Sequence, residues 1–319
     1  MSIFKALFSK KKEETTSATS KEEEKKFDIL KYDGMRAQRI GRPDYAEKCY
    51  TQALELQQDF ETMGYLAQLY VQTNRHEEAR KLLLEMSELE PSHLQTRLNL
   101  TSVCYALEDY TGTTEAAKQA LALQPENTTA YLFLAKAAHR TSDDIMSIAH
   151  LTKCIMTDET ITEARLLRAE VLLSLAQTEE AQKDIEAVLA IDEQDEAALL
   201  LRAFLHLRQG KPAEAEADYR LVIALNPFCE QAYTELGMLL TQQERAEEAI
   251  EVLNDAIEQN PSSAAAYRER GRAYMALGNK EQAAQDMKQS LELAPEQAEA
   301  LNGNFGNQPL VQQTNVLGL

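Results

Sequence analysis

Apolar positions along this chain recur at three- and four-residue spacing in short blocks, and the blocks fall into a longer register of 34 residues, once 33. Gly34, Ala67, Thr101, Ala135, Ala169, Ala203, Gly237 and Gly271 mark that register. About twelve residues after each stands a second small or mid-sized side chain: Ala46, Ala79, Thr113, Ser147, Ala181, Ala215, Ala249 and Ala283. A third set follows at Ala53, Met86, Ala120, Cys154, Val188, Val222, Ala256 and Ser290. A repeat of this length holds two helices of roughly 12–14 residues, about 20 Å long each, and two turns. Stacked repeats of that kind make a solenoid, which works through a surface rather than a reaction centre.

The seventh repeat is written most plainly. Ala232, Tyr233, Leu236, Gly237 and Leu240 share one helix face, and Ala246, Ala249, Ile250, Leu253 and Ala256 share the next. Gly237 costs about 1 kcal/mol of helix propensity against Ala, which predicts a close approach of the partner helix there. Asn260-Pro261 ends the second helix, because proline cannot donate an amide and restricts the residue before it. Pro91, Pro125, Pro227 and Pro295 fall at the same phase. The spacing predicts repeat starts near 27, 60, 94, 128, 162, 196, 230 and 264. Neither helix is long enough to be stable alone, so packing between neighbours must hold the array.

This pattern resembles the tetratricopeptide repeat family over residues 27–297, most clearly in the second, sixth, seventh and eighth repeats. Tyr233, Leu236, Gly237, Leu240, Ala249, Leu253, Ala256 and Pro261 stand where that family keeps its small, aromatic and closing positions. Thr101, Thr113 and Ser147 depart from its glycine or alanine, Glu159 and Glu193 replace its closing proline, and Asp33 replaces a large apolar residue. The resemblance implies an all-α, right-handed α-solenoid superhelix of tandem helix-turn-helix repeats, with first helices along a concave inner wall. It also implies a scaffold or adaptor that binds a protein or peptide on that wall. The alternatives are a regulatory or accessory subunit that recruits a catalytic protein, or an architectural homo-oligomer joined through its end repeats.

Mapped onto this chain, the wall runs through Lys136, Leu166, Leu200, Phe204 and Leu207 and ends with Met238, Arg268 and Arg272. These are the candidate partner-binding residues: an apolar strip with a basic end. The strip reads equally as packing between adjacent first helices. A family clamp for acidic chaperone tails is broken here, since Lys31 is followed by Met35, Tyr65, Gln95 and Asn99 at the remaining positions.

Composition narrows the function further. Hydrophobic residues make up 44% of 319, Trp is absent, and no apolar run approaches a membrane span. The net charge is −19, although residues 1–31 carry eight lysines against six acids, so the acid excess lies beyond them. An acidic array disfavours nucleic acid, whose binding rests on phosphate contacts. The five histidines are isolated, the four cysteines have no metal-ligand spacing, and no glycine-rich phosphate loop occurs. No cofactor, metal site or enzyme is therefore expected. His206 reads as a packing histidine, and Cys49 and Cys104 as buried thiols.

Residues 1–26 read as a flexible leader, with helical potential late in it, and the absence of a secretory signal points to the cytoplasm. Ile3, Phe4, Leu7 and Phe8 among basic residues allow peripheral membrane contact through residues 1–12, though a solvated leader is the simpler expectation. Residues 298–319 read as a partial cap and an Asn/Gln-rich tail. Leu301, Phe305 and Leu310 either fold back on the last repeat, stay unfolded, or enter another molecule's groove.

Overall fold

The computed structural model describes residues 22–295; the expectations for residues 1–21 and 296–319, including the membrane-contact segment and the cap, lie outside them. Sixteen α-helices and no strand occupy the described residues. Helix α1 covers 22–39 and so takes in residues 22–26, which the sequence placed in the leader. It is followed by α2 (Pro43–Leu56), α3 (Phe60–Gln72), α4 (His76–Leu89), α5 (Leu94–Ala106), α6 (Tyr110–Leu123) and α7 (Thr128–Arg140). Next come α8 (Asp144–Thr157), α9 (Thr162–Ser174), α10 (Thr178–Ile191), α11 (Glu196–Arg208) and α12 (Pro212–Leu225). The series ends with α13 (Glu230–Gln242), α14 (Ala246–Gln259), α15 (Ala264–Ala276) and α16 (Lys280–Leu293). The chain divides into two compact units at Met146–Ser147, in the first turn of α8.

Within each unit the repeat follows one plan. Several first helices begin at a side-chain cap that takes an otherwise unbonded amide: Asp59 accepts from Thr62, Asn127 from Ala130, Asp195 from Ala198 and Ser263 from Ala266. Each first helix ends in one left-handed residue: Gly41, Asn74, Glu108, Ser142, Ala176, Gly210, Glu244 or Gly278, with φ between 58° and 77°. The next amide then reaches back to a carbonyl of the last turn, as Arg245 N–H does to Leu240 at 2.9 Å, closing a Schellman turn.

The three small-residue rows are the seams of the array, and all of their described members are buried. A Cβ added to Gly237 would stand 2.7 Å from Leu253 Cγ and Cδ1, so glycine is what lets α13 and α14 touch. A fourth row lies at the start of the first helices. Thr62, Thr96, Ala130, Ala164, Ala198, Ala232 and Ala266, all 34 residues apart, are essentially inaccessible. Larger side chains fill the space between seams, with Tyr50 and Leu83 in the first unit and Leu167, Leu199, Tyr219 and Leu253 in the second.

Candidate partner-binding surface

The sequence-derived wall divides three ways. Leu166, Leu200 and Phe204 are only 9%, 6% and 6% exposed, and they belong to the core cluster that also holds Tyr219, Leu236 and Leu240. The expected exposed apolar strip is therefore corrected: along α9 and α11 these side chains complete packing between successive first helices. Leu207 is half-buried against the same cluster. Lys136 belongs to the first unit, half-buried on α7, with its ammonium 5.8 Å from the centre of the Phe133 ring. Of the eight, Met238 and Arg272 line a groove over the last repeats.

That groove, about 770 Å³, runs over α13, α15 and α16. Met238, Met275, Met287 and Leu291 supply its apolar lining, and Glu269 and Arg272 its charge. Met275 is 50% exposed, in contrast to Leu173, its counterpart three repeats earlier, which is 1% exposed. The thioethers here are flexible and polarisable, suited to an apolar surface of irregular shape.

The basic end expected at Arg268 and Arg272 is offset. Glu269 is 2% exposed and accepts from Arg268 Nε at 3.0 Å and from Arg272 Nη1 at 3.0 and 3.1 Å. One first helix earlier stands Glu235. Burial pushes its carboxyl up to about 7, the Glu269 charge adds to the rise, and Arg268 opposes it. Sequence reading missed both acids, because two single glutamates 34 residues apart carry no short-range motif; the repeat phase itself was the available signal.

Other singled-out residues have structural roles. His93 caps α5 through Nδ1, which accepts from the Thr96 amide, and burial pushes the His206 imidazole below its ordinary value. All four cysteines are buried and free. Lys31 is tied to Asp59 at 3.0 Å and Glu61 at 2.5 Å, which commits its charge within the first repeats. Among the described residues no three His, Cys, Asp or Glu side chains group as metal ligands, and no helix is long and apolar enough to cross a membrane.

The tetratricopeptide repeat profile matches residues 34–92, 166–229, 200–264 and 234–298, more than half of the chain. The chain belongs to the tetratricopeptide repeat family. No curated protein matches it by sequence. Among solved structures, a tetratricopeptide repeat protein from Parabacteroides merdae is similar at TM-score 0.63 and 18% identity, over 74% of this chain and 93% of that one. The Cut9–Hcn1 assembly of the APC/C is similar at 0.59 and 13%, over 86% and 54%. PilF of Pseudomonas aeruginosa is similar at 0.55 and 15%, over 63% and 92%. At these identities the likeness is one of fold. Tetratricopeptide repeat proteins as a family mediate protein–protein interactions and are typically non-catalytic scaffolds.

Proposed function

We propose that this tetratricopeptide repeat array is a noncovalent scaffold or adaptor that holds another protein on the first-helix wall of its second unit, at Met238 and Arg272. The groove beside those two residues carries the reading: it joins two half-buried residues of the expected wall to an apolar lining, while Leu166, Leu200 and Phe204 are sealed. Its chemistry suits an amphipathic helix or extended segment that lays apolar side chains over Met238 and sets a carboxylate toward Arg272. The Arg272–Glu269 pair fixes the guanidinium in place, so the contact gains orientation more than raw charge. A partner captured from the native organism and then purified is the probe. Met238→Glu and Arg272→Glu, each confirmed helical by circular dichroism, should each weaken its binding by about ten-fold or more, and the second should flatten its salt dependence. Unchanged affinity and salt dependence in both variants would remove this surface from consideration.

A second reading, self-association through the first repeat, is favoured by Ile29, Tyr32, Ile40 and Tyr45, four large apolar side chains exposed on α1, α2 and the turn between them. Light scattering across a concentration series tests it: a constant monomer mass excludes it.

A further inference from the structure

Phe228, in the turn between α12 and α13, is the one exposed phenylalanine among the described residues, at 75%. The repeat does not require it. At the same phase the other repeats place Asp59, Ser92, Glu126, Thr160, Gln194 and Ser262, all polar. Leu221, exposed on α12, is a second departure, since Glu85, Lys153 and Asp255 stand at its phase elsewhere. Leu225, also exposed, follows one turn later on the same face and ends α12. Glu196 accepts from Asn226 Nδ2 at 2.8 Å, which sets the start of α11 beside the turn after α12. The exposed Ile191, which ends α10, comes to the same edge. Ile191, Leu221, Leu225 and Phe228 thus form an apolar patch on α10, α12 and the turn after it, apart from the groove on α13, α15 and α16.

The rim of this patch is acidic. Asp192 and Glu193 are exposed just after α10, and Asp255 and Glu258 are exposed on α14, the next second helix. Arg220, beside Leu221 in the chain, is already held by Glu216 at 2.9 Å. An apolar patch with an acidic rim suits a segment that carries apolar and basic side chains together, and it repels an anionic membrane. We propose that its occupant is residues 1–12 of a second copy of this chain. Ile3, Phe4, Leu7 and Phe8 in that segment recur at helical spacing, and Lys5, Lys10, Lys11 and Lys12 accompany them without a single acid. Two arrays of net charge −19 repel each other, and a leader of this composition supplies an attraction between them.

The same chain's leader is the poorer occupant. In chain order α2 to α11 stand between α1 and the patch, and residues 13–21 extend at most about 32 Å. A second copy's leader reaches the patch whatever the curvature of the array. The contact joins different surfaces of the two copies, so it runs head to tail into chains or rings instead of closing a symmetric pair. It uses neither the groove nor the first-repeat side chains Ile29 and Tyr32, and so stands or falls apart from both readings of the function.

Carbodiimide coupling of lysines to carboxylates, mapped by mass spectrometry on an equal mixture of isotope-labelled and unlabelled full-length chain, tests this. Lys10, Lys11 and Lys12 should couple to Asp192, Glu193, Asp255 or Glu258 in pairs that join a labelled copy to an unlabelled one. Phe228→Asp should cut that yield by about ten-fold or more. Phe4→Ser combined with Phe8→Ser, which lie outside the repeats, should do the same. Coupling of Lys31 to Glu61, an ion pair inside the fold, is the internal standard that every variant should keep. No coupling of the leader to the rim overturns the proposal, as does coupling spread evenly over the carboxylates of the array. So does coupling confined to one copy, which returns the patch to the chain's own leader, and so does a yield that neither variant lowers. Association that persists in Phe228→Asp without leader coupling belongs to Ile29 and Tyr32 and overturns it too.

Discussion

Arg202 on α11 grips Asp218 on α12 through two parallel hydrogen bonds, Nε to Oδ2 at 3.0 Å and Nη2 to Oδ1 at 2.7 Å. The same fork joins Arg168 to Asp184 and Arg270 to Asp286, each pair sixteen residues apart and at the same phase of its repeat. The seventh repeat places Leu236 and Val252 there instead. One site in the array thus accepts either a paired charge or an apolar contact. Arg202→Leu alone strands a buried carboxylate and should cost about 3–5 kcal/mol. Adding Asp218→Val copies the seventh repeat and should recover most of that loss. Denaturant titration of the two variants checks this; a double variant no more stable than the single would mean that the site in the sixth repeat cannot take apolar packing.

Two helical glycines should respond in opposite directions to alanine. Gly237→Ala drives a methyl into Leu253 at 2.7 Å and should destabilise by about 1–3 kcal/mol through overpacking. Gly64→Ala in α3 meets only the flexible end of Met86, at 3.7 Å, and should stabilise by up to about 1 kcal/mol from helix propensity. Thermal midpoints of the two variants, shifted in opposite senses, are the expected result. A shift of the same sign in both would refute the assignment of Gly237 as the close-contact residue.

The left-handed turn row offers a stabilising change. Ala176 has φ of 59° and Glu244 of 62°, a conformation that costs a residue with a Cβ about 1–2 kcal/mol. Glycine removes that cost but makes the unfolded chain freer, so Ala176→Gly should gain about 0.5–1 kcal/mol net. Gly210→Ala should lose a similar amount, and since nothing lies within 4 Å of its added Cβ, the loss is one of backbone alone. Midpoints of urea unfolding read both; a loss of stability on Ala176→Gly contradicts the argument.

These cases also mark what was legible in the sequence. Seven first-helix starts, at Phe60, Leu94, Thr128, Thr162, Glu196, Glu230 and Ala264, fall where the period put them, because small seams and closing prolines are local signals. The turn row was only partly visible. Gly41, Gly210 and Gly278 announce it, but Glu108, Ala176 and Glu244 adopt the same geometry without the residue type that predicts it. The Arg–Asp forks were invisible to motif reading, since their partners sit on different helices. The wall was misjudged at Leu166, Leu200 and Phe204 for another reason. Helical periodicity says which way a side chain points but not how many neighbouring helices press on that face, and in α9 and α11 nearly every face is covered.

Glu235 gives the array a pH dependence of unusual sign. Its carboxyl titrates at about 7 in the folded chain against an ordinary value of 4.5, raised by burial and by Glu269 with Arg268 opposing. Between those values the folded chain binds a proton that the unfolded chain does not. Its contribution therefore penalises folding above pH 7 and is relieved as pH falls toward 4.5. His206 works the other way: its folded value lies below 6.5, so its contribution is lost as pH falls. The difference between the unmodified chain and Glu235→Gln separates the two, because His206 is common to both. At pH 8 the Gln variant should be more stable by about 1–3 kcal/mol, and by pH 5 the two should converge. Urea midpoints at pH 8, 6.5 and 5 measure it. Curves that stay parallel across that range would mean that Glu235 keeps an ordinary carboxylate in the fold.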